Sequence, residues 1–199
     1  MPEKMKEILG NSETDKKTEI EIERKWSVYK EQIPDLANCD KIEVEQGYFK
    51  DHDGKNRRLR KYTDKTGTVF YQMQKKTKLG AKRSSGSEEE TRYMSEGEFS
   101  ILWPLTVGMR IFKTRYYIPH IIKKGGQDVE LKIELDFFHT PENNKHKKSK
   151  EIIMAEIEFT SKEQSDWFTR DIWPSWFKKD ITDKKDASSK SIAKKYGKS

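Results

Sequence analysis

Glu19, Glu21, Glu23 and Lys25 recur at every second position of the stretch EIEIERKW, with Ile20 and Ile22 between the acids. In an extended strand this spacing gathers carboxylates and an ammonium on one face. The same alternation returns along the chain. Arg58 and Arg60 flank Leu59; Gln72, Gln74 and Lys76 alternate with Tyr71 and Met73; Glu88, Glu90 and Arg92 fall together; Lys113 and Arg115 share a face. Glu130, Lys132, Glu134 and Asp136 oppose Leu131, Ile133, Leu135 and Phe137, and Glu156, Glu158 and Thr160 oppose Ala155, Ile157 and Phe159. Arginine forks match phosphate oxygens and lysines supply point charges, while hard divalent cations prefer carboxylate oxygen. These faces therefore carry the groups needed to hold an anion and a metal together.

Eight segments with period-two alternation must position these residues, at about 19–28, 41–50, 56–63, 68–76, 87–94, 110–119, 128–138 and 151–160. Asp53-Gly54, Asp64 to Gly67 and Gly125-Gly126 supply turn chemistry between neighbours, so the sheet is expected to be largely antiparallel. Helices are expected at 29–37, 96–105 and 162–172, with a lysine-rich terminal helix over 183–197; Ser95 with Glu98 and Ser161 with Gln164 have capping-box spacing. Residues 1–18 read as a flexible extension, 140–150 as a mobile basic connection, and 19–199 as a single domain. Two arrangements fit the pattern: an ordinary barrel with its charges in water, or an inverted one whose charges line a wet lumen while helices cover the apolar outside. Periodicity does not decide between them.

Only 32% of the 199 residues are hydrophobic and 38% are charged, with a net charge of +7 that calls for an anionic partner. The single Cys39 rules out an internal disulfide, and His52, His120, His139 and His146 show no ligand-like spacing. With no apolar run of membrane-spanning length, a cytoplasmic setting without membrane association is expected.

Further stretches follow in order: QGYF at 46–49, RLR at 58–60, KTRYYIP at 113–119, AEIEF at 155–159 and PSWFKKDIT at 174–182. Together with the ExExK pattern of Glu21, Glu23 and Lys25, they resemble the CYTH, or triphosphate tunnel metalloenzyme, superfamily, and within it the short bacterial inorganic triphosphatases. The resemblance implies an α+β fold: a closed, eight-stranded antiparallel β-barrel forming a tunnel with a charged lumen and helices packed outside. It implies metal binding by Glu21, Glu23, Glu156 and Glu158, with Mg2+ or Mn2+ as the ion, and catalysis by these four acids and Lys25. Lys25, Arg58, Arg60, Lys76, Arg92, Lys113 and Arg115 would cradle the phosphates, Lys190 would touch the reacting phosphate, and Glu90 and Asp136 would orient the cations. For the fourth strand, alternation with Gln72 and Gln74 favours Lys76 over Lys75. The stretch DKKDASS at 183–189 departs from the family's Asp-x-x-Tyr-x-Asn pattern.

The function implied is metal-dependent hydrolysis of inorganic triphosphate or of an organic, nucleoside or thiamine, triphosphate. The partner is a small triphosphate rather than a nucleic acid, and the protein a monomer or homodimer. The alternatives are a class IV-like adenylate cyclase and a non-catalytic module binding polyphosphate or RNA. Because Gln72 and Gln74 are the amides read into the lumen, and Tyr48, Tyr62 and Trp103 read as packing residues, inorganic triphosphate is expected over ATP. The C-terminal segment from Asp183 is expected to close one tunnel mouth.

Overall fold

The computed structural model describes residues 16–81, 85–139 and 152–197. Nine strands run in chain order: β1 (Lys16–Val28), β2 (Asp40–Lys50), β3 (Asn56–Asp64), β4 (Val69–Lys78), β5 (Ser87–Met94), β6 (Arg110–Lys124), β7 (Gln127–His139), β8 (Ile152–Phe159) and β9 (Phe177–Asp180). Their order in the sheet is β5-β4-β3-β2-β6-β7-β8-β1-β9, and a further β5–β1 pairing closes the first eight into an antiparallel barrel. Closure depends on the length of β1. Its residues 16–21 pair with β5 and 22–27 with β8, while β9 attaches beside Trp26–Val28. The strand thus begins before residue 19, so residues 16–18 belong to the barrel; the rest of the expected extension and the 140–150 connection lie outside the described residues.

Among the described residues three helices accompany the barrel: α1 (Glu96–Leu102), α2 (Lys162–Trp167) and α3 (Ser189–Tyr196). Ser95 and Glu98 form the full capping box at α1. At α2, Ser161 caps Gln164, whose own side chain accepts from the Thr160 backbone instead. The expected helix over 29–37 is only a single 3-10 turn, Lys30–Gln32, ended at Ile33 with ψ of 132°; Pro34 disfavours helical backbone in the residue before it. α3 starts only at Ser189 because Ser188 supplies its N-cap, accepting from Ser191 N. No helix among the described residues is long and apolar enough to cross a membrane.

The largest apolar layer lies outside the barrel wall. Trp26, Leu135, Ala155 and Ile157 are fully buried on outward strand faces against Phe168, Trp176 and Phe177. The Trp26 ring stacks on Phe177 at 4.8 Å and meets Phe168 edge-on at 5.6 Å. Arg24 fastens this layer down: its guanidinium donates to Asp180 Oδ2 at 3.0 and 2.7 Å and to the carbonyls of Ser165 and Phe168 at 2.8 Å. A second layer, with Leu59, Met94 and Phe99, lies under α1. Burying these faces outside leaves the ionised faces turned inward, and the barrel is the inverted one.

One end of the lumen is filled. Ile111, Phe138, Met154 and Tyr48, inward residues near strand ends, pack on Ile181, Ala187, Ile192 and Ala193, so α3 and the segment before it cap that mouth.

Gly47, on the outward face of β2, permits another close approach. A Cβ there would sit 2.6 Å from Thr106 Oγ1, which donates to the Trp103 carbonyl and accepts from Arg110 Nε. Gly47→Ala is expected to cost about 1–3 kcal/mol by overpacking, seen as a lower urea midpoint at unchanged slope. An unaltered midpoint would show that the Thr106 turn yields freely.

Candidate active site

The barrel register brings the ionised rows together. Lys25 lies opposite Glu156 and Glu23 opposite Glu158; Glu156 lies opposite Glu134 across β7, and Asp136 opposite Arg115 on β6. From these pairings grows one continuous network. Lys76 Nζ meets the carboxylates of Glu21 and Glu23, the latter at 2.8 Å. Glu23 in turn accepts from Lys25 at 3.2 Å, and Lys25 donates to Glu156 at 2.5 Å. Arg115 joins Glu156 at 3.1 Å, forks onto Asp136 with two 2.7 Å bonds and reaches Glu134; Lys113 also donates to Asp136, at 2.5 Å. On the facing wall Arg58 donates to Gln74 at 2.8 Å and Glu89 at 2.9 Å, and Arg60 to Gln46 at 2.5 Å and the Tyr62 hydroxyl at 2.8 Å.

Proximity sets the charge states. Burial alone would raise Glu23, but Lys25 and Lys76 outweigh it and hold the carboxyl at about 2. Glu156 is held well below the carboxylate range, where burial is overcome by Lys25, Arg115 and Lys113. Glu21 moves the other way, pushed up to about 7 by burial and by the charge of Glu23, with Glu89 and Glu158 adding to the repulsion. Burial and the neighbouring Arg115 bring Lys113 down to about 8. Anion and cation are thus interleaved, with a surplus of negative charge around Glu21.

Glu21, Glu23, Lys25, Arg58, Arg60, Lys76, Lys113, Arg115, Asp136, Glu156 and Glu158 all fall on lumen faces, as the alternation indicated. Lys76 faces inward, and Lys75 lies outward opposite Glu90. Two expected site residues are misplaced by one position. Glu90 and Arg92 point outward: Arg92 lies opposite Met73 and donates to Glu98 of α1 at 2.7 Å. The inward residues of β5 are Glu89, Thr91 and Tyr93. Three consecutive glutamates concealed the parity, which Met94 sets by burying itself with Leu59 and Phe99 under α1. Lys190 is also away from the network; its ammonium donates to Asn56 Oδ1 at 2.6 Å, at the capped end.

Glu89, Glu134 and Gln46 join the lumen beyond the expected site residues, and part of the lumen is apolar. Ile42 and Val44 are buried on inward faces with Tyr62, Phe70 and Tyr117 around them. Tyr62, expected as a packing residue, packs inside the lumen: these residues are separated in sequence and only barrel closure assembles them.

A divalent cation suits part of the expected carboxylate set. Among the described residues no three carboxylates form a ready-made cage, and Glu156 is committed to Lys25 and Arg115. Glu21 differs: its buried Oε2 meets only the Lys76 ammonium, an ion contact with no further donor. With Glu23 and Glu158 near, this oxygen and the raised Glu21 carboxyl mark where an added positive charge is best compensated.

The fold and lumen define the class: a closed eight-stranded antiparallel barrel, charged inside and capped at one end. No known protein family and no curated protein matches the chain. The solved structures it is similar to include two described as the hypothetical protein NE1496 and the inorganic triphosphatase NE1496. Identity is 28% and 27% respectively, the TM-score is 0.51 for both, and each likeness covers 87% of this chain and 97% of the other.

Proposed function

We propose that the protein is a divalent-metal-dependent triphosphatase of the CYTH superfamily that hydrolyses a terminal phosphoanhydride bond inside its barrel. The observation that carries this reading is the lumen itself, where cations from β4 and β6 meet carboxylates from β1, β7 and β8 in one hydrogen-bonded network and the β3 arginines line the facing wall. Similarity to a structure described as an inorganic triphosphatase supports it.

Arg58, Arg60, Lys76, Lys113 and Arg115 bind and align the phosphates, which exchange for the carboxylates that four of them now hold and for the Gln46 amide and Tyr62 hydroxyl on Arg60. Glu21, Glu23 and Glu158 would hold Mg2+ or Mn2+, which supplies charge neutralisation and Lewis-acid polarisation when bound. Lys25, held protonated by Glu156 and Glu23 despite its burial, keeps a fixed positive charge beside the chain. Water adds to the terminal phosphorus, the bridging P–O bond breaks, the shortened chain leaves with the bonding electrons, and the proton lost by the water passes to the phosphate products or to solvent. Glu158 orients that water. Phosphoryl transfer of this kind rests on alignment and charge stabilisation and needs no nucleophilic Ser or Cys.

Product analysis with inorganic triphosphate and ATP, each with Mg2+ and with Mn2+, tests the reading. Orthophosphate with pyrophosphate or ADP is expected. Cyclic AMP as the main product would replace it with the cyclase, and tight binding without turnover would replace it with a binding module.

Arg58→Ala and Arg60→Ala are each expected to weaken triphosphate binding more than pyrophosphate binding, because the longer anion engages more of the wall. Calorimetric titration reads the difference; equal losses for both anions would contradict a cradle of that length.

A further inference from the structure

Arg58, Arg60 and Arg115 all reach into the lumen, but the chain anchors them in two ways. Arg115 on β6 is held by carboxylates: Nε and Nη2 fork onto Asp136 at 2.7 Å, while Nη1 meets Glu134 and Nη2 also meets Glu156. Its charge is matched before any ligand arrives. On β3, by contrast, Arg60 Nε donates to Gln46 Oε1 at 2.5 Å and Arg58 Nε donates to Gln74 Oε1 at 2.8 Å. Each of these guanidiniums rests on a neutral amide.

The register produces this arrangement, because Gln46 of β2 lies opposite Arg60 and Gln74 of β4 lies opposite Arg58, all on inward faces. Opposed side chains on neighbouring strands are within reach of each other. Both amides are buried, at 0% and 6% exposure, and both are tied on their far side. Gln46 Nε2 donates to the Tyr48 hydroxyl at 2.5 Å, and Gln74 Nε2 donates to Glu89 at 2.5 Å and to Thr91 Oγ1 at 3.1 Å. Since Arg Nε can only donate, the amide oxygen must be the group that faces it.

Two other residue types would fail at these positions in opposite ways. An apolar side chain would strand the buried Nε–H without an acceptor and release the guanidinium from its orientation. A carboxylate would keep the bond but add a counter-ion that a phosphate would then have to displace. The amide fixes direction and leaves the charge. Beyond their amides, Arg58 bonds one carboxylate, Glu89, and Arg60 bonds the neutral Tyr62 hydroxyl. Two guanidiniums on β3 thus bond one carboxylate, whereas Arg115 alone bonds three.

We infer, resting on the proposed triphosphatase reading, that Gln46 and Gln74 are positioning residues: each aims a phosphate-binding arginine through Nε while leaving its positive charge for the triphosphate. They act through the arginines and do not touch the anion. The phosphates are drawn to the β3 wall, where one carboxylate contact, that of Glu89, has to open.

Calorimetric titration with imidotriphosphate, which resists hydrolysis, at fixed saturating Mg2+ separates anchoring from activity. Gln46→Glu keeps an acceptor for Arg60 Nε and for the Tyr48 hydroxyl and changes the charge. Its melting temperature is expected to equal or exceed that of wild type, because a buried arginine gains a counter-ion, while its affinity for imidotriphosphate falls at least about tenfold. A residue that served packing alone would not move stability and affinity in opposite directions. Gln74→Met, similar in length but without the acceptor, is expected to lose about fivefold in affinity, and it decides the matter if Gln46→Glu does not fold. Wild-type affinity in either folded variant overturns the inference, as does an affinity loss in Gln46→Glu that merely accompanies a lowered melting temperature. The expected losses in a protein that fails to hydrolyse triphosphate would uphold the anchors and remove the triphosphatase reading, and absence of binding to wild type would remove both.

Discussion

Glu23→Gln is expected to lower triphosphate turnover by at least about 10², the scale of removing a charge-stabilising catalytic group, while the barrel still folds. Glu23 accepts from both Lys25 and Lys76, and these ammoniums hold it ionised at about 2. The amide keeps the shape and can still accept, so packing is preserved. What disappears is the negative charge that, with Glu21 and Glu158, would compensate a divalent ion. Turnover measured across a metal titration checks this, with the melting temperature as control. Near-normal turnover at saturating metal would remove Glu23 from the metal set.

Asp136→Asn is expected to destabilise the protein by about 3–5 kcal/mol, the cost of stranding buried charge. Asp136 has no exposed surface and holds Lys113 at 2.5 Å and Arg115 through two 2.7 Å bonds. Losing its charge leaves two buried cations with Glu134 and Glu156 as the remaining nearby acids. A polyanion would restore the missing negative charge, so triphosphate should raise the melting temperature of the variant more than that of wild type. Urea unfolding with and without ligand reads both effects. An equal ligand-induced rise in the two proteins would show that Asp136 does not hold these cations for phosphate.

The alternating rows were legible because strand geometry converts spacing of two directly into a shared face: Glu21, Glu23 and Lys25, and likewise Lys113 and Arg115, stand where the pattern put them. Parity failed at β5, where Glu88, Glu89 and Glu90 give no alternation and Met94, beside the α1 cap, was the overlooked clue. The apolar part of the lumen was hidden for another reason. Ile42, Tyr62, Phe70 and Tyr117 come from four strands, and each taken alone looks like an ordinary packing residue. Whether charges face in or out also required the outer layers, because only Trp26 and its neighbours show which face the helices cover. The 29–37 region failed locally, where Pro34 limits the helix to one turn.

The two-sided pairing of β1 also constrains how the chain can fold. Its first half needs β5 and its second half needs β8, so the Lys25–Glu156 contact joins positions 131 residues apart. Contacts this distant in sequence incur loop-closure entropy before they repay it, which places ring closure late and makes it slow. On the ribosome β1 must wait, its Trp26 face uncovered, until β8 and the β9 segment have emerged. β1, made before the other eight described strands, is therefore among the last of them to find all its neighbours, and a chain cut short before residue 152 would keep an open edge available for aggregation.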